Sequence, residues 1–176
     1  MFRIFCTAIG LHLLLLGTAS AQPSQPLKIR GDTSGAPRGC SAASGVAAIS
    51  AWFAAFTDAD SARLAKASST PHGRFVISVG KFATSDKFFR ARLFEELLAY
   101  ARERARQHER MTVQAVRFNG WSGRVLEWDR LYFIRSADDL GDKPLPGVAK
   151  GGYWCGQGVW YIHLAPRVDT APEPRR

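Results

Sequence analysis

The chain has 176 residues, 46% of them hydrophobic, and a formal net charge of +9. That length fits one domain with one core, and there is no internal repeat or low-complexity tract. The charge admits nucleic acid, an anionic membrane surface or an acidic partner. Seven basic residues between 86 and 110 are interleaved with five acids, however, which reads as a solvated face, so no nucleic-acid partner is expected.

Arg3 is followed by an apolar run from Ile9 to Leu16 and then by Ala19-Ser20-Ala21. This is the pattern of a secretory leader (residues 1–21) cleaved after Ala21, with the apolar run too short to span a bilayer. The expected product is an exported soluble chain, periplasmic or extracellular, with no membrane span. Cys6 leaves with the leader, and Cys40 and Cys155 remain. Two thiols in an oxidising compartment permit one bridge, with two separate thiols as the alternative.

Residues 22–43 are rich in glycine and proline, with Leu27 and Ile29 as apolar exceptions, and read as a flexible lead-in. Ser44 or Gly45 then caps a helix whose Val46, Ile49, Trp52, Phe53 and Phe56 share one face. Asp58 is expected to cap a second helix through Ala67. Ser68 to Gly73 is loop, and Phe75 to Val79 is a short strand ending at Gly80. From Asp86 to Gln107 the apolar residues Phe89, Leu93, Leu97, Ala101 and Ala105 recur every four positions. This predicts one amphipathic helix of ~30 Å, capped by Thr84 or Ser85, with its arginines mostly in solvent. Thr112–Phe118 and Arg124–Arg135 form a hairpin joined by Asn119 to Gly123. Ser136 to Gly152 reads as irregular, Tyr153 to Leu164 as a final hairpin turning at Gly156-Gln157-Gly158, and residues 166–176 as a fraying tail. The order predicts an α+β fold, with helices gathered on one face of a curved sheet over residues 44–165.

Several chemistries have no signature here. HExxH, paired CxxC, a phosphate-binding loop and GxGxxG are absent. Gly120-Trp121-Ser122-Gly123 lacks the GxSxG spacing, and His72, His108 and His163 are scattered. No metal site and no cofactor are expected. The segment from Arg124 to Arg135 is more informative. Period two puts Val125, Glu127, Asp129, Leu131, Phe133 and Arg135 on one face, and Arg124, Leu126, Trp128, Arg130, Tyr132 and Ile134 on the other. If the first set faces a pocket, Glu127 or Asp129 is a desolvated carboxylate and a general base. The alternative is a solvated pair held by neighbouring arginines, and a β-bulge would reverse the parity. Trp52, Phe56, Trp128 and Tyr132 are the candidates for an apolar ligand wall, with core packing as the other reading for the helix aromatics.

The helical AAISAWFAAFTDADSARLA, the strand GRFVISVG, the following helix, VQAVRFNGWSGRVLEWDRLYFIR and GYWCGQGVWYIHL together resemble the nuclear-transport-factor-2-like (NTF2-like) superfamily. The similarity is to its polyketide-cyclase-like and ketosteroid-isomerase-like branches. The resemblance implies a cone, in which a curved antiparallel sheet wraps a long helix with two further helices before it. It also implies a pocket at the open end and a homodimer through the outer sheet. No acid–base pair matches the isomerase pattern, so no catalytic residue is carried over. The expected function is an exported, non-catalytic domain binding a small apolar ligand or a protein partner. The alternatives are an isomerase-, dehydratase- or cyclase-type enzyme using Glu127 or Asp129, and a basic adaptor docking on an acidic envelope component.

Overall fold

The computed structural model describes residues 27–69 and 76–167. The expected leader, the loop around His72, the start of the strand at Phe75 and nearly all of the tail lie outside the described residues. Among those described, the elements run β1 (Lys28–Asp32), α1 (Ala42–Thr57), α2 (Ser61–Ala67), β2 (Val76–Val79), β3 (Phe89–Ala91), α3 (Phe94–Arg106), β4 (Arg110–Ser122), β5 (Val125–Ser136), β6 (Leu145–Trp154) and β7 (Gly158–Pro166), with a short 3-10 turn at Asp138–Leu140. The strands form one sheet in the order β1-β4-β5-β6-β7-β2-β3. β1–β4 and β7–β2 pair in parallel, and the other neighbours are antiparallel. This is the expected α+β architecture, a curved, unclosed sheet with helices on its inner face.

The helix that fills the concavity is α1, where the expected cone placed the later helix starting at Asp86. Gly45, Ile49, Trp52, Phe53 and Phe56 are its buried stripe, at spacings of three and four. It packs on β4, β6, β7 and α3. The Ser41 hydroxyl caps it, accepting from the Ser44 N–H at 3.1 Å. Gly45 lets the helix approach the sheet closely: a Cβ there would stand 2.9 Å from Leu126 Cδ2. Trp52 stacks on Phe56 with centroids 5.4 Å apart, and Phe53 meets Phe133 of β5 at 5.8 Å.

The predicted helix from Asp86 to Gln107 is shorter than its apolar period suggests. Phe89–Ala91 is an edge strand paired with β2, and helix begins only at Phe94. Two interactions stop the helix from extending backwards. Asp86 is drawn into the core by Arg135, and the Glu96 carboxylate accepts from the Arg92 and Leu93 N–H groups at 2.8 and 3.2 Å. Leu93, assigned to the apolar stripe by sequence, is 51% exposed. Similarly, α2 is capped by Asp60 rather than Asp58.

Two stretches expected to be irregular are strands. Within the 22–43 lead-in, β1 joins the sheet edge beside β4. The Gly- and Pro-rich 145–154 is β6, because its glycines are seats for aromatic rings of the neighbouring strand. Gly147 lies opposite Phe133 and Gly151 opposite Trp128, and a Cβ at either would come within 2.4 Å of those rings. Absent side chains there reflect packing, not a loop.

Candidate functional site

Register shifts decide where the candidate side chains point. β5 breaks register with β6 between Trp128 and Leu131. As a result Leu126 and Trp128 are buried together with Leu131, Phe133 and Arg135, while Glu127 and Asp129 share the outer face with Tyr132. The simple alternation that placed Glu127 and Asp129 beside Leu131 and Phe133 is therefore broken by the bulge. Asp129 is ion-paired to Arg117, with Nε to Oδ1 at 3.0 Å and a second contact from Nη2 to Oδ2. The hydrogen bonds from Arg117 hold its carboxyl below the usual carboxylate range, the opposite of what a general base near neutral pH needs. Tyr132 is half-buried, with the Arg167 guanidinium 5.3 Å from its ring centroid. Of the expected ligand wall, Trp52, Phe56 and Trp128 come together, but inside the packed core, each at most 1% exposed.

Two further places, at opposite ends of β5, have organised chemistry. Where β5 finishes, five charged groups converge. Arg135, fully buried, donates from Nε and Nη2 to the two oxygens of Glu109 at 3.0 Å each, and from Nη1 to Asp86 at 2.6 Å. Its Nη2 also reaches the Tyr100 hydroxyl at 3.3 Å, and its guanidinium lies 4.7 Å from the Phe82 ring centroid. Arg104, at the end of the Leu97–Ala101 stripe of α3, contacts Glu109 and forks onto Asp139 with two bonds of 2.7 Å. Burial alone would lower the Arg104 pKa, but its bonds to Asp139 and Glu109 outweigh it and raise the value. Burial pushes the Tyr100 phenol up to about 12. Sequence reasoning missed this cluster. Its one sequence signal was Arg135, which falls on the same parity as Leu131 and Phe133 and so requires carboxylate partners if that face is buried. Every one of the five charges has an opposite partner, so the geometry is that of a clamp.

Where β5 begins, the chain leaves space. A cleft of about 500 Å³ lies between α1, α2 and the β6–β7 turn, lined by Ala47, Ala48, Ala51, Arg63, Lys66, Ala67, Tyr153 and Gly156–Gly158. Alanines on the outward side of α1 make the space, because larger side chains would fill it. Arg63 is paired to Asp58 at 2.9 Å, and exposed Lys66 has no ion pair among the described residues. The wall opposite α1 is held from three directions. The Ser69 N–H donates to the Val159 carbonyl at 2.7 Å and its hydroxyl to Gln157 at 3.0 Å, and the Tyr153 hydroxyl accepts from the Gly156 N–H at 3.1 Å. A Cβ on Gly158 would stand 2.5 Å from the Ala67 carbonyl, so this close approach of β7 to α2 needs glycine. Behind the turn, Cys155 is disulfide-bonded to Cys40 ahead of α1, with Cα atoms 5.7 Å apart. In the chain-entropy account, closing so long a loop contributes roughly 4–5 kcal/mol. The expected bridge is therefore present, and it fixes the turn that rims the cleft.

No protein-family model matches the sequence, and no curated protein matches it. Solved structures do. The chain is similar to an NTF2-like family protein from Streptomyces avermitilis named as a candidate dehydratase, at 14% identity and TM-score 0.54, covering 71% of this chain and 95% of that one. It is also similar to an NTF2-like protein from Pseudomonas putida, at 13% identity and TM-score 0.53, covering 76% of this chain and all of that one. A third is the canthaxanthin-binding orange carotenoid protein of Anabaena, at 8% identity and TM-score 0.54, where 90% of this chain matches 42% of that one. At such identities the likeness is one of fold, and the fold is the NTF2-like cone.

Proposed function

We propose that the chain is an exported domain that binds a small ligand with an apolar body and an anionic group, held in the cleft between α1 and α2. The observation that carries this reading is the cleft itself. Its volume suits a small molecule, its floor is alanine and a tyrosine ring, and Arg63 and Lys66 stand on its wall. The apolar body would lie against Ala47, Ala51 and Tyr153. Lys66 and Arg63 would attract the anionic end, Arg63 by exchanging its exposed partner Asp58, a pair of the kind that holds with little energy. The core aromatics support the site from beneath rather than lining it. That the Anabaena protein binds a carotenoid is in keeping with ligand binding on this fold.

Calorimetric titration tests the proposal, using a medium-chain fatty acid against the alcohol of the same chain length. Binding of the acid, weakened about tenfold or more when Lys66 and Arg63 both become Glu, is the expected result. Equal affinity for acid and alcohol, or no effect of the reversal, would remove the cationic wall from the account. Half-exposed Tyr132, Trp160 and Tyr161 on the outer sheet face keep a homodimer through that face as a second element of the proposal. Sedimentation showing only monomer at micromolar concentration would contradict it.

A further inference from the structure

The segment between β2 and α3 presents Lys81, Lys87, Arg90 and Arg92, all exposed, and none makes an ion pair among the described residues. It also holds Phe88 and Leu93, 61% and 51% exposed, two of the most exposed large apolar side chains described. One acid lies within it, Asp86, and that carboxylate is turned inward. Asp86 is 6% exposed and accepts from Arg135, from the Phe82 N–H at 3.1 Å and from the Lys87 N–H at 2.9 Å. The segment is thus folded around its only negative charge, leaving positive charge and a phenyl ring outside. The next acids are Glu95 and Glu96, and Glu96 is folded back onto the Arg92 and Leu93 amides.

The strand register extends the same charge across the sheet. Arg90 pairs with Ser78, Ser78 with His163 and His163 with Lys150, giving a row on the outer face across β3, β2, β7 and β6 that contains no acid. The row is ordered, with Ser78 Oγ and His163 Nδ1 2.6 Å apart. Arg90 lies on the edge strand, and Phe88 and Arg92 flank that strand, all three exposed.

We propose that this corner of the sheet docks on an anionic phospholipid surface, with Phe88 entering the interface and Lys87, Arg90 and Arg92 at the headgroups. Basic side chains around a protruding apolar one are what an anionic bilayer rewards, by electrostatic attraction together with burial at the headgroup boundary. A protein partner would favour an interface centre depleted of lysine. Single-stranded nucleic acid would favour rings with open faces for stacking, whereas Trp154, Trp160 and Tyr161 beside the row pack edge to face on one another. The docking corner goes beyond the proposed ligand cleft and uses none of its residues.

Cosedimentation with vesicles tests this, using the chain from Gln22 onward, which keeps every described residue without the apolar leader. Vesicles of phosphatidylcholine alone are compared with vesicles containing phosphatidylglycerol. The expected result is binding that requires phosphatidylglycerol, weakens as salt rises, falls at least about tenfold in Lys87→Glu/Arg90→Glu, and falls several-fold in Phe88→Ser. All three side chains are exposed, so the variants should melt like the parent. Equal binding to both vesicles, or folded variants that bind as the parent does, would overturn the proposal. So would retention by a single-stranded oligonucleotide with no binding to vesicles, which would assign the corner to nucleic acid.

Discussion

The two ends of β5 deal with polar groups in opposite ways. At its C-terminal end, Arg135, Glu109, Asp86 and Arg104 are taken out of water, each with charged partners at hydrogen-bonding distance. At its N-terminal end, Ala47, Ala48 and Ala51 face a cleft whose cations, Arg63 and Lys66, stay in solvent. Buried charges tolerate no loss of a partner, since removal of one leaves the rest desolvated and unpaired. Exposed cations beside an apolar floor can change partners at little cost. The first end is therefore suited to holding α3, β4 and β5 together, and the second to meeting something that comes and goes.

Perturbing the clamp should have the largest effect. Arg135→Leu strands Asp86 and Glu109 and should destabilise the fold by about 3–5 kcal/mol, read from urea midpoints. A change under ~1 kcal/mol would mean the cluster is not the clamp described. Next comes the covalent tie behind the cleft. Cys40→Ser should cost about 2–5 kcal/mol, and it should loosen hydrogen exchange at Gly156–Gly158 before it loosens β4.

Acid should separate the two ends more gently. The hydrogen bonds from Arg104 hold the Asp139 carboxyl below its ordinary value. Its folded pKa lies below its unfolded one, so its contribution is present above the unfolded pKa and is lost as pH falls through the folded value. Thermal stability should decline below about pH 4, and Asp139→Asn should flatten that decline. An unchanged acid profile in the variant would place the sensitivity elsewhere. The smallest change in stability belongs to the cleft. Ala51→Trp, at an exposed position, should shift stability by no more than about 0.5 kcal/mol while filling the cleft and abolishing fatty-acid binding. Binding that survives this substitution would move the ligand out of the cleft.

The α+β class and the central hairpin were legible because long-range pairing there follows local pattern, and Trp52, Phe53 and Phe56 declare their buried face by helical spacing. Four features were not legible, each for a physical reason. The bulge after Trp128 adds one residue and reverses the parity of Glu127 and Asp129, and a two-residue period carries no mark of where it slips. The edge strand at Phe89 hides inside a four-residue recurrence, because Phe89 and Leu93 fit a helix that Asp86 and Glu96 prevent from extending. The glycines of β6 resemble a loop until Phe133 and Trp128 are seen lying over them. The cleft is made of alanines that are unremarkable in sequence, since its signal is what those positions lack. Arg135 was the one readable clue to the clamp, as a charge in step with Leu131 and Phe133.

The ligand site is tested most directly by mapping amide and methyl shifts during titration with a medium-chain fatty acid. Ala47, Ala51, Ala67, Tyr153 and Gln157 are expected to move together and saturably, while Trp52, Trp128 and Arg135 stay in place. Shifts centred on the core tryptophans or on the Arg135 cluster, with the alanines of α1 unmoved, would contradict it.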